Sequence, residues 1–132
     1  MRKSVRIAAL AVTVCVLMAC APATPAPDPN ALRLTLDTNP SPMQRGNVTA
    51  VVRVTGPQGE PVEGAEVRIT LQMRNVGGHA KVTMGGDVAR ELSEGRYEAV
   101  FDVEYAGLAE FSIEARKNGL PNSFVEINRE VK

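Results

Sequence analysis

The 132-residue chain has no tryptophan, three phenylalanines, two tyrosines and one histidine. With so few aromatics, a core has to be assembled from many aliphatic side chains, each stabilising by about 1.5–3 kcal/mol when buried. Both cysteines, Cys15 and Cys20, fall in the first twenty residues. An excess of charge is also missing: fifteen Lys+Arg balance fifteen Asp+Glu. No basic patch with interleaved aromatics occurs, which argues against nucleic acid as a partner. Beyond residue 19 no apolar run approaches the roughly 20 residues that cross a bilayer as a helix. No strict internal repeat is visible.

The N-terminus is where the hydrophobicity is concentrated. Arg2, Lys3 and Arg6 precede an apolar run from Ile7 to Ala19, which is short for a membrane span and fits a secretory signal peptide, residues 1–19. Leu17-Met18-Ala19-Cys20 resembles the lipobox of bacterial lipoproteins, and Leu17 stands where an ordinary signal peptide carries a small residue. The resemblance implies cleavage before Cys20 and lipidation of its thiol, leaving the mature chain with neither free thiol nor disulfide. Loss of Arg2, Lys3 and Arg6 from the fifteen Lys+Arg leaves twelve against fifteen Asp+Glu, a net charge of about −3. In a Gram-negative cell, Ala21 after the lipidated cysteine points to the outer membrane, facing the periplasm. Four prolines in the ten residues Ala21–Asn30 block both helix and ladder and favour polyproline II. Residues 20–30 therefore read as a tether on the order of 30 Å long, and residues 31–132 as one domain.

In that domain the apolar period is two. LRLTLDT places Leu32, Leu34 and Leu36 on one face, and NVTAVVRVT does the same for Val48, Ala50, Val52 and Val54. Further alternating runs are AEVRITLQM, RYEAVFDV and LAEFSIEAR, with a weaker DVARELS and a closing SFVEINREV. Turn signals separate them at Asn39-Pro40, Gly56-Pro57, Glu94-Gly95, Ala106-Gly107 and Asn118-Gly119. The pattern predicts an all-β fold, an antiparallel sandwich of about seven strands.

VTGPQGEPVEGAEVRI, Val54 to Ile69, adds a corner motif. Gly64 is free to take positive φ, and Ala65 is small enough to tuck beneath it. This motif resembles that of bacterial Ig-like and prealbumin-like sandwich domains. Together with Gly46, Met73 ending a strand, a Gly/His loop, Gly95-Arg96-Tyr97 and Gly107, it resembles the YtkA-like domain, related to FixH. That likeness spans roughly Leu32 to Ala115. It implies an Ig-like sandwich of the cell envelope, broadly similar to small periplasmic copper-binding domains. Two departures stand out: Val76 replaces a second methionine common in the family, and Leu108 and Ala109 stand where a tryptophan is often found.

LQMRNVGGHAKVTM, Leu71 to Met84, carries the candidate metal ligands. Met73, His79 and Met84 would offer Cu(I) two thioethers and an imidazole, and Gly77-Gly78 would let the loop fold back. The competing reading is packing: Met73 is in phase with Val67, Ile69 and Leu71 and plugs the core, His79 is an exposed loop residue, and Met84 covers the sandwich end. Met43, in the SPMQRG loop, is a further candidate at the same end. No nucleophile accompanies His79 and Asp87, and the pairs Glu60/Glu63 and Glu91/Glu94 flank turns as solvated charge, so no catalysis is expected. The sequence thus points to a non-catalytic, lipid-anchored binding or accessory module. The alternatives are a copper-binding or copper-delivery lipoprotein and a structural envelope protein that pairs with a partner through strand edges.

Overall fold

The computed structural model describes Ala26 and residues 28–132. The expected signal peptide, Cys20 and most of the tether lie outside the described residues. The domain has eight strands: β1 Arg33–Asn39, β2 Gly46–Thr55, β3 Glu66–Val76, β4 His79–Val88, β5 Arg90–Glu91, β6 Arg96–Val103, β7 Gly107–Arg116 and β8 Ser123–Val131. They form two four-stranded sheets, ordered β1-β2-β6-β5 and β4-β3-β7-β8, and every ladder is antiparallel. This is an all-β, Ig-like sandwich.

The period-two reading placed the inner faces correctly. Val48, Ala50, Val52 and Val54 of β2 are fully buried, as are Val67, Ile69, Leu71 and Met73 of β3. Because side chains alternate along a strand, such a run can bury one face only by laying it on an opposing sheet. Between the sheets Phe101 and Phe111 meet edge-on, with ring centroids 6.1 Å apart at 73°, the arrangement that ring quadrupoles favour.

The segment expected to be a Gly/His loop is instead the start of β4, which pairs with β3 from Val76↔His79 to Arg68↔Val88. Its alternation is hidden in the sequence by a register shift between Leu71 and Gln72, which leaves Met84 as the extra residue opposite them, and by Gly85-Gly86. A bulge changes the parity of every residue beyond it, so a period-two search misses such a strand. The expected DVARELS strand is divided: Asp87 and Val88 end β4, and only Arg90 and Glu91 form β5.

One flank of the sandwich is laced shut. The Ser123 hydroxyl donates to the Leu32 carbonyl at 2.9 Å, Met43 bridges Val131 in parallel, and the Lys132 N–H donates to the Met43 carbonyl at 3.0 Å. These bonds join β8 to β1 and to the loop that follows it. Among the described residues the opposite flank, between β4 and β6, has no such lacing.

Candidate functional site

The sequence-predicted ligands are strung along the β3–β4 hairpin. Met73 is fully buried in the core, where it pairs with Val82 across the ladder. Met84 is partly buried and packs on the same core. His79 is exposed at the first position of β4, opposite Val76. Buried thioethers and an exposed imidazole are thus not gathered on one surface. Met43 lies in a loop at the same end of the sandwich, but it is itself core, at 1% exposure. Among the described residues, no group of three or more His, Cys, Asp or Glu side chains is placed to hold a metal.

A groove lies on the unlaced flank. Only Arg90 and Glu91 of β5 pair with β6, opposite Glu98 and Tyr97. From Ala99 to Val103 the outer edge of β6 has no neighbouring strand in its sheet among the described residues. The direction of its free backbone groups follows from strand alternation. The Arg96 carbonyl accepts from Leu92 N–H at 2.8 Å on the β5 side, while the Gly95 carbonyl accepts from Val54 N–H at 2.8 Å on the β2 side. Even-numbered residues of β6 therefore aim N–H and C=O outward, and beyond Glu98 these are Val100 and Asp102.

Facing this edge is the other sheet's outermost strand, β4. Between them lies a groove of about 560 Å³, lined by Met84, Gly85, Gly86, Asp87 and Val88 on one wall and by Ala99, Val100, Phe101 and Asp102 on the other. The two glycines let neighbouring side chains close in, Gly85 on the groove side and Gly86 on the outer face of the sheet. A Cβ on Gly85 would touch the Phe101 ring at 3.4 Å, and one on Gly86 would lie 2.9 Å from the Thr70 hydroxyl oxygen. Val100 is 62% exposed and Val88 46%, an apolar pair on the groove's rim. Asp87, Glu98 and Asp102 make the rim acidic; Arg90 is held by Glu98 at 2.7 Å. A bare strand edge beside a groove of mixed polar and apolar lining is suited to taking up an extended chain, with backbone bonds supplying affinity and pockets supplying selectivity.

Two other polar clusters are structural. Glu110 of β7 is buried, at 1% exposure, under Arg74, with which it is ion-paired, and Lys81, whose Nζ lies at 2.5 Å. Hydrogen bonds from Lys81 and then Arg74 hold its carboxyl below the usual carboxylate range, against the opposing effect of burial. At the corner after β2, the Tyr97 hydroxyl sits among backbone groups of Val62 and Ala65. Burial raises its pKa, with the Ala65 N–H acting the other way.

No protein-family model matches the chain, and no curated protein matches it. Among solved structures, a DUF4426 family protein of Pseudomonas aeruginosa PAO1 superposes with a TM-score of 0.55 at 21% identity, over 75% of this chain and 88% of that one. The PmoD soluble domain of Methylocystis sp. ATCC 49242 superposes with a TM-score of 0.52 at 8% identity, over 78% of this chain and 92% of that one. Murine CRIg follows at 0.44 and 11% identity, over 76% of this chain and 97% of that one. At these identities the likeness is one of fold.

The groove escaped sequence reasoning. Its one local trace is the Gly85-Gly86 pair inside a strand, a mark of close backbone approach.

Proposed function

We propose that this chain is a lipid-anchored, non-catalytic module of the cell envelope that holds a protein partner by strand pairing at the β6 edge. The observation that carries the reading is the edge itself: β5 covers β6 for two residues and, among the described residues, leaves Ala99–Val103 bare beside the groove. A bare edge is a template for pairing with another chain, and the carboxylates of Glu98 and Asp102 along this one would select which chain it accepts. The lipobox-like Leu17–Cys20, the proline spacer and the YtkA-like motifs support the envelope setting, with anchorage in a Gram-negative cell at the outer membrane facing the periplasm. The register supports the orientation. The tether joins β1 at the end where Arg33 pairs with Thr55, and Arg53 of β2 pairs with Arg96 at that same end. Val103 pairs with Gly46 at the far end, so the bare half of β6 is the half away from the tether.

Copper handling through Met73, His79 and Met84 has less support, because Met73 is sealed in the core while His79 is exposed. The test is a photoreactive side chain at Val100, compared with one at Thr35 on β1, in living cells. A discrete adduct at Val100 alone, with Cys20→Ser releasing the protein from the membrane fraction, is the expected result. Equal adducts at both positions, or none at Val100, would overturn the reading.

A further inference from the structure

Resting on that reading, we infer that the occupant of the β4–β6 groove is an extended segment of another protein, with lysine or arginine on its outer face and small apolar residues on its inner face. The inner requirement follows from the walls. A strand added beside Ala99–Val103 would turn alternate side chains inward beside Ala99 and Phe101, against the wall of Met84 and Gly85. There the Phe101 ring already packs 3.4 Å from the position of a Gly85 Cβ and leaves room only for small side chains. The outer requirement is electrostatic. On the solvent face the added strand would stand beside Glu98, Val100 and Asp102, all aligned by strand alternation. Glu98 already has Arg90 at 2.7 Å. Asp102 has no ion-pair partner among the described residues, and Asp87 on the opposite wall adds a second carboxylate. A cation opposite Asp102 and an apolar residue opposite Val100 complete the pairing, since opposite charges facing each other across a ladder are favourable and like charges are not.

The same rule disfavours a second copy of this chain. Antiparallel pairing of two β6 edges about Val100 would set Asp102 of each copy directly opposite Glu98 of the other. The chain's own tether is unsuited as well. APATPAPDPN has no lysine or arginine, four prolines cannot donate to a ladder, and it joins β1, at the other edge of this sheet.

The test uses the full chain in detergent micelles and capped heptapeptides, one alternating valine with lysine and one alternating valine with glutamate. Amide hydrogen exchange at Val100 and Asp102 is the readout. The lysine peptide is expected to slow both amides and to bind on the order of tenfold more tightly than the glutamate peptide. Asp102→Lys, an exposed change that leaves the core untouched, is expected to reverse that preference. Val100→Pro, which removes one edge donor, is expected to weaken both peptides. Equal protection of these amides by both peptides would overturn the charge assignment and leave strand pairing standing. Protection by neither peptide would overturn both. Protection without peptide that grows with protein concentration would make the occupant a second copy and overturn the inference.

Discussion

The Tyr97 hydroxyl donates to the Val62 carbonyl at 2.8 Å and accepts the Ala65 N–H at 3.1 Å. One phenol on β6 thereby pins the corner that carries the chain from one sheet to the other. Glu91 completes the arrangement by accepting the Gly64 N–H at 2.7 Å.

Tyr97→Phe keeps the ring and strands two backbone groups. The expected loss is about 1–3 kcal/mol, the cost of leaving buried partners unsatisfied, read from urea midpoints. The raised pKa of this phenol also makes a pH prediction. Its contribution to stability is fully present below the unfolded value of about 10 and is lost as pH rises through the higher folded value. Tyr97→Phe should flatten that alkaline decline.

Glu110 acts at the other end of the pH scale. Its carboxyl titrates below the unfolded value of 4.5 because Lys81 and Arg74 bond the charged form. The stability it contributes is present above that value and is lost as pH falls through the folded one. Glu110→Gln should lower the urea midpoint at about pH 7, by a difference that shrinks as pH falls below the unfolded value and through the folded one. A difference that stays the same across that range would show that the ion pairs with Arg74 and Lys81 contribute nothing to stability.

Met73 separates packing from metal binding. As a fully buried side chain, its change to Ala should cost about 2–5 kcal/mol. In a Cu(I) titration against a chromophoric chelator, wild type is expected to leave the metal with the chelator. Stoichiometric uptake, lost in His79→Ala while the fold is retained, would establish the copper reading.

Gly95 is fixed by space as well as by conformation. At φ +70° its missing Cβ would fall 2.6 Å from the Val54 carbonyl oxygen and 2.9 Å from the Val62 nitrogen. Gly95→Ala should cost at least about 1–3 kcal/mol, the scale of such backbone strain, measured by thermal or urea unfolding.

The inner faces of β2, β3 and β7 were legible because uninterrupted alternation has one way to bury itself. Gly64, expected at positive φ, has φ 67°. β4 was illegible for the converse reason: the bulge at Met84 and the glycines after it erase the period. The metal candidates were drawn from residue type, and no residue type reveals that Met73 is sealed in the core and His79 exposed. The groove depends on a strand being two residues long, which is decided by how Ala89 seats itself on Val67, where its N–H donates to the carbonyl at 2.7 Å.

The strand order also sets a load path. A pull on the tether would act on β1 along its own axis, and β1 reaches the bare edge only through β2 and β6. A partner strand aligned with β6 and drawn away from the membrane would load each of these ladders lengthwise. All the backbone bonds of a ladder would then share the strain at once instead of parting one after another. In a chain anchored as proposed, an edge two strands from the anchor, in the same sheet, would thus be a fastening that resists shear.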